Sequence, residues 1–271
     1  MARGQTPKSR ADTMVRAAKR ELLWGYVKTS AWRHGVRVDS LCRVQRYIRN
    51  KFDPLRPGNP MDPLQRPGAY FPGLEGKPIH ESSDFGWVRF LEERSDVIKR
   101  EFDALRDRGA FRPHPQKLAD RGHWGAYFFF ADGVAFEDNC RECPNTAEAL
   151  RRLPGATLAG RAFFSVVAPD THLKAHCGAT NTRLRCHLGL SIPSDAFMRV
   201  GPERVRWTEG RCLIFDDSYD HEVRNFSTER AVLLFDIWHP GLSEAERWAI
   251  QRLSQLSGRY RLYRRGIEKN Q

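Results

Sequence analysis

Beyond residue 123 the chain breaks into many short apolar-rich segments: HWGAYFFFADG, RAFFSVVAP, RLRCHLGLSI, MRV, RVRW, RCLIF, HEVRNF and RAVLLFDIWH. Each has strand length. Turn signals separate them at Pro193-Ser194-Asp195, Thr208-Glu209-Gly210 and Asn225-Phe226-Ser227. This spacing predicts a mainly β sandwich or jelly roll. Upstream the period changes. Val88, Leu91, Ile98, Phe102 and Leu105 share one side of a helix over 86–111, which a glycine stop at Gly109 ends. Residues 243–257 read as a closing helix with Ser243 as its N-cap. No internal repeat is present.

The first fifty residues have a different character. Residues 13–50 mix Arg and Lys with Leu22, Trp24, Val27, Trp32 and Ile48, the pattern of one or two basic amphipathic helices. Such a segment can dock on the body, lie on an anionic membrane surface or meet an acidic partner. Residues 53–79 hold seven of the sixteen prolines and read as an extended wrapping segment. The expected organisation is a basic helical extension over 1–52, a proline-rich segment over 53–82 and a main domain over 83–271.

Charge sharpens this division. Of the formal net charge of +12, residues 1–52 carry +10. The body is nearly neutral, so no nucleic-acid partner is expected. No run of about 18 apolar residues and no signal-peptide pattern is present, which predicts a cytoplasmic protein without a membrane span. The six cysteines are scattered. Cys140 and Cys143 form a lone C-x-x-C with no second pair, read as inert thiols in a loop.

The candidate chemistry lies in HCGATNTRLRCHLGL, residues 176–190. As a strand, RLRCHLGL puts Leu184, Cys186, Leu188 and Leu190 on one face and Arg183, Arg185 and His187 on the other. The first face fits a sheet–sheet core. The second is an ordinary polar face if it meets water, or a carboxylate-binding wall if it lines a barrel interior. His176 stands before this strand and His221 follows CLIFDDSYD. Two imidazoles on neighbouring strands are the arrangement expected for ligands of Fe(II). Sites of this kind usually add a carboxylate two residues after the first histidine, and here that position is Gly178. Arg230 begins the next strand, nine residues after His221, and Ser165 lies in the strand before His176.

HCGATNTRLRCHLGL, FDDSYDHEV and DIWHP, with GHWGAYFFFADG, CPNT and FFSVVAPDTHLKAH upstream, resemble the aspartyl/asparaginyl β-hydroxylase family over residues 83–245. The resemblance implies a double-stranded β-helix (jelly roll, cupin-like) with flanking α-helices. It also implies hydroxylation that depends on Fe(II), 2-oxoglutarate and O2 and releases succinate and CO2. By the same resemblance, His176 and His221 match the metal ligands. Ser165 and Arg230 match the residues that hold the side-chain carboxylate of 2-oxoglutarate. Arg185 and His187 match polar residues at its other end, near the substrate, and Arg183 a grip on the substrate's acidic side chain. The family, like this sequence, carries glycine at the position of Gly178, where water completes the coordination, with Asp217 the choice for a carboxylate that orients it. Gly178→Asp is then expected to restore a three-ligand site. The short basic N-terminus resembles that of short microbial members, whose substrates are free amino acids, small peptides or carrier-bound groups. An iron halogenase with chloride at the vacant position, and a non-catalytic β-barrel binding protein, are the competing readings.

Overall fold

The computed structural model of the chain describes residues 10–53 and 58–256. Two helices come first, α1 (Arg10–Arg33) and α2 (Cys42–Lys51), and a short edge strand β1 (Ile79–His80) follows the proline-rich segment. Next come α3 (Val88–Glu92), α4 (Ser95–Asp107), β2 (Arg112–Pro113), β3 (Ala119–Arg121), β4 (Trp124–Ala131) and β5 (Val134–Ala135). Then α5 (Glu137–Glu142) and α6 (Pro144–Arg152) precede the run β6 (Arg161–Val167), β7 (Thr171–His176), β8 (Arg183–Ser191) and β9 (Phe197–Val200). The chain continues through β10 (Glu203–Val205), β11 (Cys212–Phe215), β12 (His221–Asn225), β13 (Arg230–Trp238) and α7 (Glu244–Leu256).

The strands form two antiparallel sheets. The larger runs β1-β11-β8-β13-β6-β4-β2, with β5 added on β4, and the smaller runs β10-β9-β12-β7-β3. From β6 onward the chain crosses between the sheets at every connection except the β9–β10 hairpin. That alternation winds a double-stranded β-helix, a jelly roll.

Side-chain alternation then decides what each face meets. In β8 and β13 one set, including Leu184, Cys186, Leu188, Leu233 and Phe235, packs with Leu91, Ile98 and Phe102 of α3 and α4. The sheet–sheet interior is a separate cluster in which Phe128, Phe163, Val232 and Leu234 meet Leu173, Met198 and Val223 of the smaller sheet. This corrects the sequence expectation: the apolar face of RLRCHLGL packs under helices, and its cationic face looks into the barrel. The helices over 88–152 cover the outside of the large sheet, so both faces of β13 are buried and its sequence shows no alternation. Each fully buried Leu or Phe in these clusters contributes roughly 1.5–3 kcal/mol.

Three further differences from the sequence reading have local causes. The helix over 86–111 is two helices, broken at Arg94, whose φ of −103° and ψ of 2° are not α-helical. Cys140 and Cys143 lie in α5 and at the start of α6 rather than in a loop. Both are buried against the large sheet, and burial raises both thiol pKa values, Cys143 to about 12. α5 and α6 themselves are anchored by Cys140, Thr146, Ala147, Ala149 and Leu150. The closing helix starts where expected, with a reciprocal cap in which Glu246 N donates to Ser243 Oγ at 3.3 Å and Ser243 N to Glu246 Oε2 at 2.9 Å. Residue 257 of that expectation lies outside the described residues.

α1, α2 and α7 share a third cluster, with Val27, Leu41, Val44, Ile250 and Leu253 meeting Phe71 and Leu74 of the proline-rich segment. Arg43 of α2 ties this layer together by donating to Glu246 and to the carbonyls of Gly73 and Gly241. Among the described residues no helix is long and apolar enough to cross a membrane.

Candidate active site

β7 and β12 are paired so that His176 and His221 lie directly opposite each other, and the register slips just after His221. Their ring centroids are 4.1 Å apart. His176 Nδ1 lies 2.7 Å from the carbonyl of Lys174, and His221 Nδ1 lies 2.8 Å from that of Tyr219. A carbonyl only accepts, so each ring carries its proton on Nδ1 and keeps Nε2 as a lone-pair donor. This is the tautomer a metal-ligating imidazole needs. Burial lowers both pKa values, that of His221 well below the ordinary range, which keeps both rings neutral.

Gly178 has a steric reason. A Cβ there would stand 2.4 Å from Asp217 Oδ1 and 2.5 Å from its Cγ. The carboxylate of Asp217 fills the space that a ligand at 178 would need, which corrects the expectation that Gly178→Asp restores a three-ligand site. Asp217 Oδ2 pairs with Arg185 Nη1 at 3.0 Å, while its Oδ1 is buried without a hydrogen-bond partner. Its neighbours face elsewhere. Asp216, raised to about 7 by burial, accepts from Ser218 N and Gln65 Nε2, and Asp220 pairs with Arg66 and Arg199. Among the described residues no three His, Cys, Asp or Glu side chains are grouped as a metal cage. The donor set is therefore two neutral imidazoles and a nearby unpartnered carboxylate oxygen. It fits a divalent first-row ion whose remaining positions are filled by small oxygen ligands.

The other end of the interior is cationic. Arg230 is 1% exposed, its Nε and Nη1 have no hydrogen-bond partner among the described residues, and burial alone pulls its pKa down to about 9. Its guanidinium lies 4.4 Å from the ring centroid of Trp207. The Trp207 indole N–H donates to His187 Nδ1 at 3.0 Å. An indole only donates, so the proton of His187 sits on Nε2, which is buried and unpartnered. Burial, then Arg230 and Arg185, keeps this ring neutral. On β6, next to β13, Ser165 Oγ accepts from Trp124 Nε1 at 3.0 Å, so its own hydroxyl proton remains available to donate. Trp124 stacks on buried His114, ring centroids 3.5 Å apart, and His114 Nε2 is also unpartnered.

Arg183 and Arg185 have counter-ions within the chain. Arg185 Nε donates to Asp236 Oδ1 at 2.9 Å, and Arg183 Nε lies 3.6 Å from Asp236 Oδ2. Asp236 is fully buried. Its burial is outweighed by the two guanidiniums, which hold its carboxyl below the usual range. Arg183 Nη1 also donates to the carbonyl of Ala159, and a Cβ on Gly160 would meet both Arg183 and Asp236. The guanidinium assigned to the substrate's acidic side chain is thus seated against Asp236. Asp236, Trp207, Trp124 and His114 were not singled out in the sequence. Asp236 did leave a signal, as a lone carboxylate in an apolar strand opposite Arg185.

The sequence model of the family described as Aspartyl/Asparaginyl beta-hydroxylase matches residues 92–240, which include every inward-facing group above. The chain belongs to the aspartyl/asparaginyl β-hydroxylase family. It is 34% identical over 239 residues to aspartate beta-hydroxylase domain-containing protein 2 of Xenopus tropicalis, an alignment covering 83% of this chain and 62% of that protein. It is 39% identical over 199 residues to the human domain-containing protein 1, covering 69% of this chain and 51% of the relative. It is also 35% identical over 184 residues to human aspartyl/asparaginyl beta-hydroxylase, covering 65% of this chain and 24% of that protein. The chain thus spans 62% or less of the length of these relatives.

Proposed function

We propose that this protein is an Fe(II)- and 2-oxoglutarate-dependent dioxygenase that hydroxylates an unactivated C–H bond. The favoured target is the β-carbon of an aspartyl or asparaginyl residue, or of a related amino acid, peptide or carrier-bound substrate. The observation that carries this reading is the set of polar groups gathered in one barrel interior, some of them without a hydrogen-bond partner among the described residues. It holds two neutral imidazoles, a buried guanidinium without a counter-ion, and the unpartnered N–H of His187. A buried, unpaired guanidinium is costly unless an anion joins it.

When bound, Fe(II) with 2-oxoglutarate and O2 supplies the oxidising power and leaves succinate and CO2 as coproducts. The chain's own groups divide the remaining work. His176 and His221 hold the metal, each ring fixed by its backbone carbonyl. Arg230 and Ser165 hold the distal carboxylate of 2-oxoglutarate, with Trp207 and Trp124 fixing their positions. His187 Nε2 donates to the cosubstrate beside Trp207, on the side that Arg230 occupies. Arg185, locked between Asp236 and Asp217, sets the position of Asp217 and presents positive charge toward the substrate side. The apolar cluster around Phe163, Val232 and Leu234 keeps water from the reacting bond. The Asp217 carboxylate beside Gly178 favours water over chloride at the vacant position, because an anion next to a halide is repulsive. This argues for hydroxylation over halogenation.

Incubation with Fe(II), ascorbate and 2-oxoglutarate and a panel of free Asp, free Asn and Asp- or Asn-containing peptides tests the proposal. Succinate release with a product one oxygen atom heavier is expected. A chlorinated product, or no 2-oxoglutarate turnover across the panel, would overturn it.

A further inference from the structure

α1 buries one side and leaves the other bare. Val27 and Ala31 are fully buried against α2 and α7, while Val15, Leu22 and Trp32 are 51%, 72% and 81% exposed. With exposed Ala18 and Thr29 and with Gly25, these residues fall alternately three and four positions apart: Val15, Ala18, Leu22, Gly25, Thr29, Trp32. That is the seam spacing of a paired helix, kept along a 24-residue element about 36 Å long. Among the described residues nothing lies within 4 Å of where a Cβ on Gly25 would stand, so they leave the centre of the seam uncovered.

The pattern favours a helix over a lipid surface as occupant. A helix lying in a bilayer interface presents a wide apolar arc rimmed by cations. This seam is narrow, alternates large with small residues, and carries Glu21 as well as Lys28 along one border, with Lys19, Tyr26 and Arg33 along the other.

We propose that α1 pairs antiparallel with the α1 of a second copy of this chain, giving a homodimer whose two-fold axis passes between residues 23 and 24. In that register Trp32 of one copy covers Val15 of the other, Thr29 meets Ala18, and Leu22 seats on Gly25, each contact made twice as a two-fold requires. Gly25 lets the facing backbone come close. Along the borders Glu21 meets Lys28 of the other copy, and Lys19 meets Tyr26. A parallel pair would instead bring Lys28 against Arg33. The charge pattern therefore selects the antiparallel arrangement.

Sedimentation equilibrium of the full chain across a concentration series tests this. A species of twice the 31.3 kDa chain mass is expected, with a dissociation constant on the order of micromolar. Leu22→Asp should weaken it by about a hundredfold or more, since both copies lose a buried apolar contact. Glu21→Lys should weaken it about tenfold, and the double variant Glu21→Lys with Lys28→Glu should return to within about threefold of the parent, because the swapped charges again face each other. All three changes sit on solvent-exposed positions, and unchanged circular dichroism separates lost association from lost fold. A monomer at every concentration overturns the proposal. So does a dimer indifferent to Leu22→Asp, or one whose Glu21→Lys defect the charge swap does not repair. A monomer that sediments with phosphatidylserine-containing vesicles assigns the seam to a bilayer and overturns it as well.

Discussion

The outer and inner faces of the large sheet come from the same strands, residue by residue. Along β8, Leu184, Cys186 and Leu188 face out and Arg183, Arg185 and His187 face in. Along β13, Leu233, Phe235 and Ile237 face out and Arg230 and Asp236 face in. The outer face is apolar and fully covered by α3 to α6, so its contribution is burial. The inner face has its own apolar belt, but around that belt it holds buried charges, of which Arg183, Arg185, Asp217 and Asp236 balance one another and Arg230 does not. Stability is built on one side, and on the other a buried guanidinium is left without a counter-ion among the described residues.

The largest expected effect lies opposite the inner face, on β12 of the smaller sheet. His221→Ala should reduce 2-oxoglutarate turnover by at least about a thousandfold, with a melting temperature changed by only a few degrees; succinate assay and calorimetry check this. On the outer face, Phe235→Ala should cost about 3–5 kcal/mol of stability through the cavity it leaves, read by denaturant unfolding. Its inner neighbour Asp236→Ala should cost a similar amount, about 3–5 kcal/mol, by removing the counter-ion of Arg183 and leaving Arg185 to Asp217. A near-neutral Asp236→Ala would erase the distinction between burial and charge balance.

A smaller effect is expected at Gly178. Gly178→Ala should push the Asp217 carboxylate aside and cost about 1–3 kcal/mol, seen in the unfolding midpoint. The smallest belongs to His80 on the edge strand β1, whose pKa is lowered to about 4, first by burial and then by His239. A histidine held neutral in the fold gives stability that is complete above pH 6.5 and is lost as pH falls toward 4. The slope is at most about 1.4 kcal/mol per pH unit, and less because His80 is partly exposed. His80→Phe should flatten the acid side of the stability curve over that interval.

The split of β8 into two faces was legible because Leu and Cys alternate with Arg and His at period two. Which face was the core was not legible, because the answer depends on helices over 88–152 that fold back across the sheet. Half of that cover, α5 and α6, is short, and only Leu150 among its buried anchors is a large apolar residue. His176 and His221 stood out by residue type and by the family resemblance, but their direct opposition is a matter of register between two strands 45 residues apart. Gly178 read as a gap. Only packing shows that Asp217 fills it. Trp207 and His114 gave no signal, since an indole that orders an imidazole and a ring stacked on Trp124 are known only from contacts.

The central claim is that Arg230, the buried cation without a counter-ion on the inner face among the described residues, is there for the distal carboxylate of 2-oxoglutarate. The most direct test is anaerobic calorimetric titration of 2-oxoglutarate into the Fe(II)-loaded protein and its Arg230→Met variant. The account predicts binding by the parent protein and an affinity about a hundredfold lower in the variant, a loss of about 2.7 kcal/mol. Equal affinity in the two proteins would contradict it.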